Sequence, residues 1–272
     1  MRTIDDFALS AQLLKKLYVK RVFISPSSDS LRAIFQAHPK LVVALNHGPM
    51  LAPGVVNTVI SDIFLKQGGA DRVPMGIIWK HFYKVPLLKN LVAYITQVEE
   101  AFGLDDFIQQ FVEKPYNDLM VMPEGENCCF GDGVNIEPFL SPRFVEIAIR
   151  AKVPVLVAVH HGTHVLANPV EVSRLTTRIF KQMMPEKNYR RFRESGLLSL
   201  PRFTAGKVPK LGWSFKLYQP QLTESELAED KAARLEQLWQ EADAIRSQMQ
   251  AMVEQLRQDV VAQNEEFPGV AA

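Results

Sequence analysis

Short apolar runs rich in β-branched residues recur between segments of helical period, and this alternation constrains the fold more than any other feature of the chain. The runs are Leu41–Leu45, Val73–Ile78, Leu91–Thr96, Leu119–Met122 and Val153–Val159; helical patterning fills Met50–Leu65, Leu104–Glu113 and Ser141–Lys152. Strands that alternate with helices predict an α/β fold with a mostly parallel sheet flanked by helices. Ligands of such sheets gather beyond the carboxyl ends of the strands. Three runs end in polar motifs, Asn46-His47-Gly48, Pro123-Glu124-Gly125 and His160-His161-Gly162, so one shared rim is the economical expectation.

Both ends of the chain carry helical signals. Leu9, Leu13, Leu14 and Leu17 recur at helical spacing beside Lys15 and Lys16, which predicts an amphipathic helix within residues 1–20 whose apolar face must pack on something. Asp5 and Asp6 stand where a secretory leader carries basic residues and no apolar core follows them, so this segment reads as mature protein. Near the other end, Thr223 with Glu226 forms a capping-box pattern that predicts the start of a long acidic helix over 222–264, followed by a loose tail, 265–272. Leu235, Leu238, Ala242, Ile245, Met249, Met252 and Leu256 make a heptad-like stripe along it. That stripe suits either a homodimeric coiled coil or a helix laid across the parent domain. Alanine, methionine and the short span favour the second. Residues 21–221 between these helices form the α/β domain.

Composition narrows the function classes. With 272 residues and 47% hydrophobic content the chain buries a full core. The 31 basic and 30 acidic residues nearly cancel, which gives no overall bias towards nucleic acid, and no recognition motif for it occurs. The longest apolar run, Val153–Val159, has strand length and falls far short of the roughly 18 residues of a spanning helix. The two cysteines are the adjacent Cys128 and Cys129, a poor geometry for a structural bridge, and a reducing compartment is the simplest reading. No G-x-S-x-G elbow, phosphate loop or G-x-G-x-x-G fingerprint is present.

His47, at a strand-to-helix turn, stands where a general base belongs, since neutral imidazole takes a proton from an attacking hydroxyl and returns it to a leaving group. Read alone it could equally be structural. Glu124 follows a buried strand and precedes Gly125, which permits a tight turn; the carboxylate could position an acceptor or satisfy local backbone donors. His160, His161 and His164 offer imidazole ligands. Adjacent histidines on a strand point to opposite faces, however, and rim lining is the preferred reading over a metal site.

The ordered set Asn46-His47, Pro123-Glu124-Gly125 and Val153-Pro154-Val155-Leu156-Val157 resembles the lysophospholipid and glycerolipid acyltransferase superfamily, whose members carry N-H-x-x-x-x-D, P-E-G and V-P-V/I segments in that order. The resemblance covers roughly residues 21–162. It implies transfer of an acyl group from a thioester, on coenzyme A or acyl carrier protein, to a lipid-like hydroxyl or amine, with no metal and no other cofactor. By that resemblance His47 deprotonates the acceptor, while Asn46, Gly48, Pro123, Glu124, Gly125 and Asn127 line its binding site. It also implies a cytoplasmic protein, peripheral to the inner face of the membrane.

Three departures bear on that expectation. Ala52 stands where the family has the aspartate that orients the imidazole; an acceptor for the ring could instead come from a backbone carbonyl or from Asp62 or Asp132. Glu126, Asn127 and Cys128 replace the family's threonine, arginine and serine, and the segment Tyr94–Val98 lacks a further arginine. Arginine is the natural bidentate partner of phosphate, so the acceptor expected here is a neutral glyceride, an amino lipid or another alcohol. A catalytically weak lipid- or acyl-binding protein is the alternative. Two basic, aromatic stretches, Trp79–Lys89 and Lys187–Lys216, suit a membrane interface; the alternatives are a core helix with solvated lysines for the first and a basic loop docked on the acidic terminal helix for the second.

Overall fold

The computed structural model describes residues 1–266 apart from 79–82, 84, 86, 87, 101, 180, 182, 183 and 203–206. Along the chain run α1 (Ala8–Tyr18), β1 (Val19–Ile24), α2 (Leu31–Ala37), β2 (Leu41–Leu45), α3 (Ala52–Lys66), β3 (Pro74–Gly76), α4 (Leu88–Thr96) and α5 (Leu104–Glu113). After them come β4 (Asp118–Val121), α6 (Arg143–Ala151), β5 (Val155–His161), β6 (Ala167–Glu171), α7 (Arg174–Ile179), α8 (Glu186–Ser195), β7 (Leu197–Pro201), β8 (Val208–Tyr218) and α9 (Lys231–Glu266). Six strands form one sheet in the order β1-β8-β5-β2-β4-β3. Every pairing in it is parallel except that of β5 with β8. The fold is therefore α/β, with a mostly parallel sheet flanked by helices and a long C-terminal helix, as the alternation of periods predicts.

The strand period of two sorts the core into two layers. Val42 and Ala44 of β2 and Val155, Val157 and Val159 of β5 face α5, α6 and α9. Leu41, Val43, Leu45, Leu156 and Ala158 face the opposite way, towards α2 and the apolar side of α3. Each fully buried aliphatic side chain contributes about 1.5–3 kcal/mol relative to exposure, so a register slip in β2, which would exchange the two sets, is strongly disfavoured. Polar contacts fix the end of the sheet remote from the rim. Lys40 Nζ donates to the carbonyls of Phe111, Lys114 and Tyr116 at 2.8, 2.9 and 2.6 Å, satisfying the C-terminal turn of α5 and tying it to the start of β2. Arg72 grips Asp118 through two bonds, at 2.8 and 2.6 Å, under the start of β4.

Several expectations need correction. Leu91–Thr96 is helical, part of α4; it buries Val92 and Thr96, four residues apart, and exposes Leu91 and Ile95. A continuous apolar run does not reveal which period it follows. The capping box at Thr223 is formed, but it closes a single 3-10 turn, Glu224–Glu226. The long helix starts at Lys231, where Asp230 Oδ2 accepts from the N–H groups of Ala232 and Ala233. The stripe on α9 lies across the parent domain. Leu238, Ala242, Ile245, Met249, Met252 and Leu256 are buried against the sheet and α6, and Leu235 alone of the stripe is exposed. That seam is therefore already occupied and is not free for a coiled-coil partner.

The stretch Lys187–Lys216 is not a continuous basic surface. It contains α8, β7 and most of β8. In β8, Leu211, Trp213 and Phe215 enter the core on one face, while Lys210 and Lys216 fall on the alternate positions, where Lys210 donates to the carbonyl of Val260 and Lys216 pairs with Asp29. Lys187 pairs with Glu126, and Arg191 with Glu137. Of Trp79–Lys89, residues 79–82, 84, 86 and 87 lie outside the described residues. Among those described, no helix is long and apolar enough to cross a membrane.

Candidate functional site

β2, β4 and β5 run parallel and adjacent in the middle of the sheet, so the loops that follow them meet at one edge. The three polar motifs are joined there by hydrogen bonds. Asn46 Oδ1 accepts from the N–H of His160 at 2.8 Å and Asn46 Nδ2 donates to the carbonyl of His160 at 3.1 Å, a two-way clasp between the ends of β2 and β5. The N–H of His47 donates to Glu124 Oε1 at 2.6 Å, and the N–H of Glu137 donates to Glu124 Oε2 at 2.7 Å. Glu124, 2% exposed, thus bridges β2 to the 131–139 loop. Burial pushes its carboxyl up to about 7 in spite of the two N–H donors.

The proton on each imidazole follows from its neighbours, because a carbonyl oxygen only accepts. His47 Nδ1 lies 3.1 Å from the carbonyl of Gly48, so it carries the proton and leaves the lone pair on Nε2. That nitrogen faces Cys128 Sγ at 4.0 Å. Burial lowers the pKa of His47 below its ordinary 6.5, which keeps the ring neutral at neutral pH with a lone pair on one nitrogen. His160 Nε2 likewise donates to the carbonyl of Asn46 at 3.1 Å, and its Nδ1 receives the hydroxyl of Thr163 at 3.4 Å. Fully enclosed, His160 is held down to about 3 and is a neutral fixture of the rim.

Tight backbone turns bring these groups together. Gly48 has φ +64°, and a Cβ on it would come within 2.8 Å of Thr163 Oγ1 and 2.9 Å of His160 Cε1, so only glycine allows the chain to leave β2 beside β5. Gly125 has φ +48° and opens the 3-10 helix Gly125–Phe130, whose coiling carries Cys128 back over the end of β2. Asn127 is buried and its Nδ2 donates to the carbonyl of Pro138 at 2.7 Å, which holds the loop.

Neither aspartate considered as an orienting group for His47 serves it. Asp62 is bound by Lys15 at 2.5 Å and Lys66 at 2.8 Å, well along α3. Asp132 accepts from the N–H groups of Val134 and Asn135 within its own turn. The backbone carbonyl of Gly48 takes that place. Ala52 is fully buried in the first turn of α3. His161 and His164 stack with ring centroids 5.1 Å apart, while His160 turns to Asn46. Among the described residues no three His, Cys, Asp or Glu side chains gather in a way that could hold a metal ion. A groove of about 540 Å³ beside Met75, Tyr94, Gln97 and Tyr116 lies at the opposite end of β4 from the rim.

Sequence reasoning singled out His47, Asn46 and Glu124, and they do meet. It missed Cys128, Glu137 and Thr163. The available signal for Cys128 was its position three residues beyond Gly125, within the loop that must fold back over the rim. No protein-family model matches the chain, and no curated protein matches its sequence.

Proposed function

We propose that the chain is an acyltransferase that moves an acyl group from a thioester, on coenzyme A or acyl carrier protein, to a lipid-like hydroxyl or amine. One observation carries this reading: His47 presents an unprotonated Nε2 at the carboxyl edge of the sheet, with its proton held on Nδ1 by Gly48 and its backbone anchored by Glu124. Such a nitrogen accepts a proton as a nucleophile attacks the thioester carbonyl and delivers it to the departing thiolate. Around His47 the polar groups contact one another: Asn46 with His160, Glu124 with Glu137, Glu137 with Arg191. Arg191 gives one guanidinium nitrogen to Glu137 while its Nε has no partner among the described residues, so it is Asn127, standing where the resembled family has arginine, that supports an acceptor without a phosphomonoester.

The acceptor is proposed to reach the site from a membrane surface on the cytoplasmic side. α1 packs on α3 through Ala11 and the Lys15–Asp62 pair, and it leaves Leu9, Leu13 and Leu17 exposed at 73%, 53% and 63%. Exposed Lys16, Lys20 and Arg21 flank that stripe. An apolar ridge with cations beside it suits the headgroup region of anionic lipid.

The test is thiol release from long-chain acyl-coenzyme A and acyl carrier protein, offered neutral, amino and phosphorylated acceptors, for the wild type and His47→Ala. Acceptor-dependent release that vanishes in the variant supports the reading. Ala52 favours a second one, a lipid- or acyl-binding protein without turnover, because no carboxylate stands at that position to orient His47. Acyl binding with no release from any donor and acceptor pair would establish it instead.

A further inference from the structure

Resting on the acyl-transfer reading, we propose that Cys128 is the nucleophile of the site and that the acyl group passes through a covalent thioester on its sulfur. His47 Nε2 faces a thiol, with Cys128 Sγ 4.0 Å away, on a turn set by Gly125. The tautomer fixed by Gly48 leaves the lone pair of Nε2 on that side. A base beside a thiol, with its other nitrogen held by a third group, has the layout from which a cysteine is activated, and Cys128 itself is buried at rest.

The exchange at position 52 gives this pairing its chemical sense. Removing a proton from an alcohol, about as weak an acid as water at about 15.7, calls for an imidazole stabilised as its cation by a carboxylate. A thiol, with an ordinary pKa of about 8.5, lies far closer to imidazole than an alcohol does, and it keeps that advantage in kind although the Cys129 contact and burial raise Cys128 and burial lowers His47. Ala52 removes the carboxylate, and Cys128 spares only the first step, the opening of the donor thioester, from needing it. Its hydrogen bond with Cys129, and burial, keep the Cys128 thiol protonated at rest, so a neighbouring base has work to do.

The steps balance. Cys128 Sγ attacks the carbonyl carbon of the donor thioester as its proton passes to His47 Nε2. The carbon–sulfur bond to the donor breaks, and the donor thiolate takes that proton and leaves as a thiol. S-acyl-Cys128 remains, close in energy to the thioester consumed. The acceptor hydroxyl or amine then gives its proton to His47 and attacks the acyl carbon. Cys128 departs as thiolate and is reprotonated by His47. No metal or redox partner enters.

The test incubates the full-length protein with palmitoyl-coenzyme A without acceptor, quenches it in acid, and maps the adduct by mass spectrometry. One palmitoyl group is expected on the peptide holding Cys128, removable by neutral hydroxylamine, and retained on Cys128 in Cys129→Ser. With acceptor, initial rates should give the parallel double-reciprocal lines of a two-step exchange. Cys128→Ala should lose at least about a thousandfold in turnover, and Cys128→Ser should trap an ester that resists hydroxylamine. Acceptor-dependent release by Cys128→Ala at the wild-type rate, or intersecting lines with no adduct on the wild type, overturns the inference and leaves the acyl-transfer reading standing. If the wild type releases no thiol with any donor and acceptor, both fall together. The wild-type adduct and rate pattern require no variant to fold.

Discussion

The backbone N–H of His47 donates to Glu124 Oε1 at 2.6 Å, so the loop after β2 and the loop after β4 are held as one unit. The second oxygen of the same carboxylate holds Glu137 N. Replacing Glu124 with alanine leaves two N–H groups without their acceptor, and unpaired buried donors cost about 1–3 kcal/mol each. Urea denaturation should therefore show Glu124→Ala less stable by about 2–6 kcal/mol, and a change below 1 kcal/mol would contradict the bridge.

Stability should also depend on pH through this carboxylate. Burial raises Glu124 from 4.5 to about 7, so between those values the folded protein keeps a proton that the unfolded chain has released, and stability falls as pH rises. His160 acts in the opposite sense: lowered from 6.5 to about 3, it stays neutral while the unfolded chain takes up a proton, so stability rises with pH across that window. Glu124→Gln removes the first effect and keeps the second. Its denaturation midpoints should climb more steeply than those of the wild type between pH 4.5 and 6.5. Equal slopes would refute the assignment.

Ala52→Asp tests the absent carboxylate directly. A negative charge in the first turn of α3 favours the imidazolium form of His47. In histidine NMR titrations, the His47 midpoint should lie below 6.5 in the wild type and move upward in the variant. Position 52 is fully buried, so the substitution should also cost about 1–3 kcal/mol. An unmoved midpoint would mean that the side chain at 52 does not reach the ring's field.

The Arg72–Asp118 pair is buried, with Arg72 also stacked on Phe35 at 4.6 Å. Asp118→Ala strands the guanidinium without its partner, and loss of one member of such a pair costs about 3–5 kcal/mol. Chemical denaturation of Asp118→Ala measures this. A loss under 1 kcal/mol would show that Arg72 finds water or another acceptor.

Leu9, Leu13 and Leu17 give α1 an exposed apolar stripe. Leu13→Ser should weaken sedimentation with vesicles containing phosphatidylglycerol by about tenfold, with the melting temperature unchanged because Leu13 is 53% exposed. Equal binding by the variant and the wild type would remove α1 from the lipid-facing side.

Much of this architecture was legible because period and burial agree. β2 is apolar throughout and buried throughout, and α5 repeats Phe107, Ile108 and Phe111 on one face. The same rule failed at α4, whose unbroken apolar run hides a face that is exposed. β8 was illegible for a different reason: its lysines and rings alternate across the two faces, and composition averages over alternation. At the rim, the sequence placed His47 and Glu124 after their strands but could not place Cys128. Its position depends on the coil of one 3-10 helix.

α9 reaches the rim by an indirect route. Arg246 donates to the carbonyls of Ile136 and Glu137, and Gln250 Oε1 accepts from Ile136 N, so α9 fixes the loop whose Glu137 N–H holds Glu124. The consequence is one of order in time. A ribosome delivers His47, Glu124 and Cys128 well before α9, so the contacts that Arg246 and Gln250 make with their loop form only after those residues have left it.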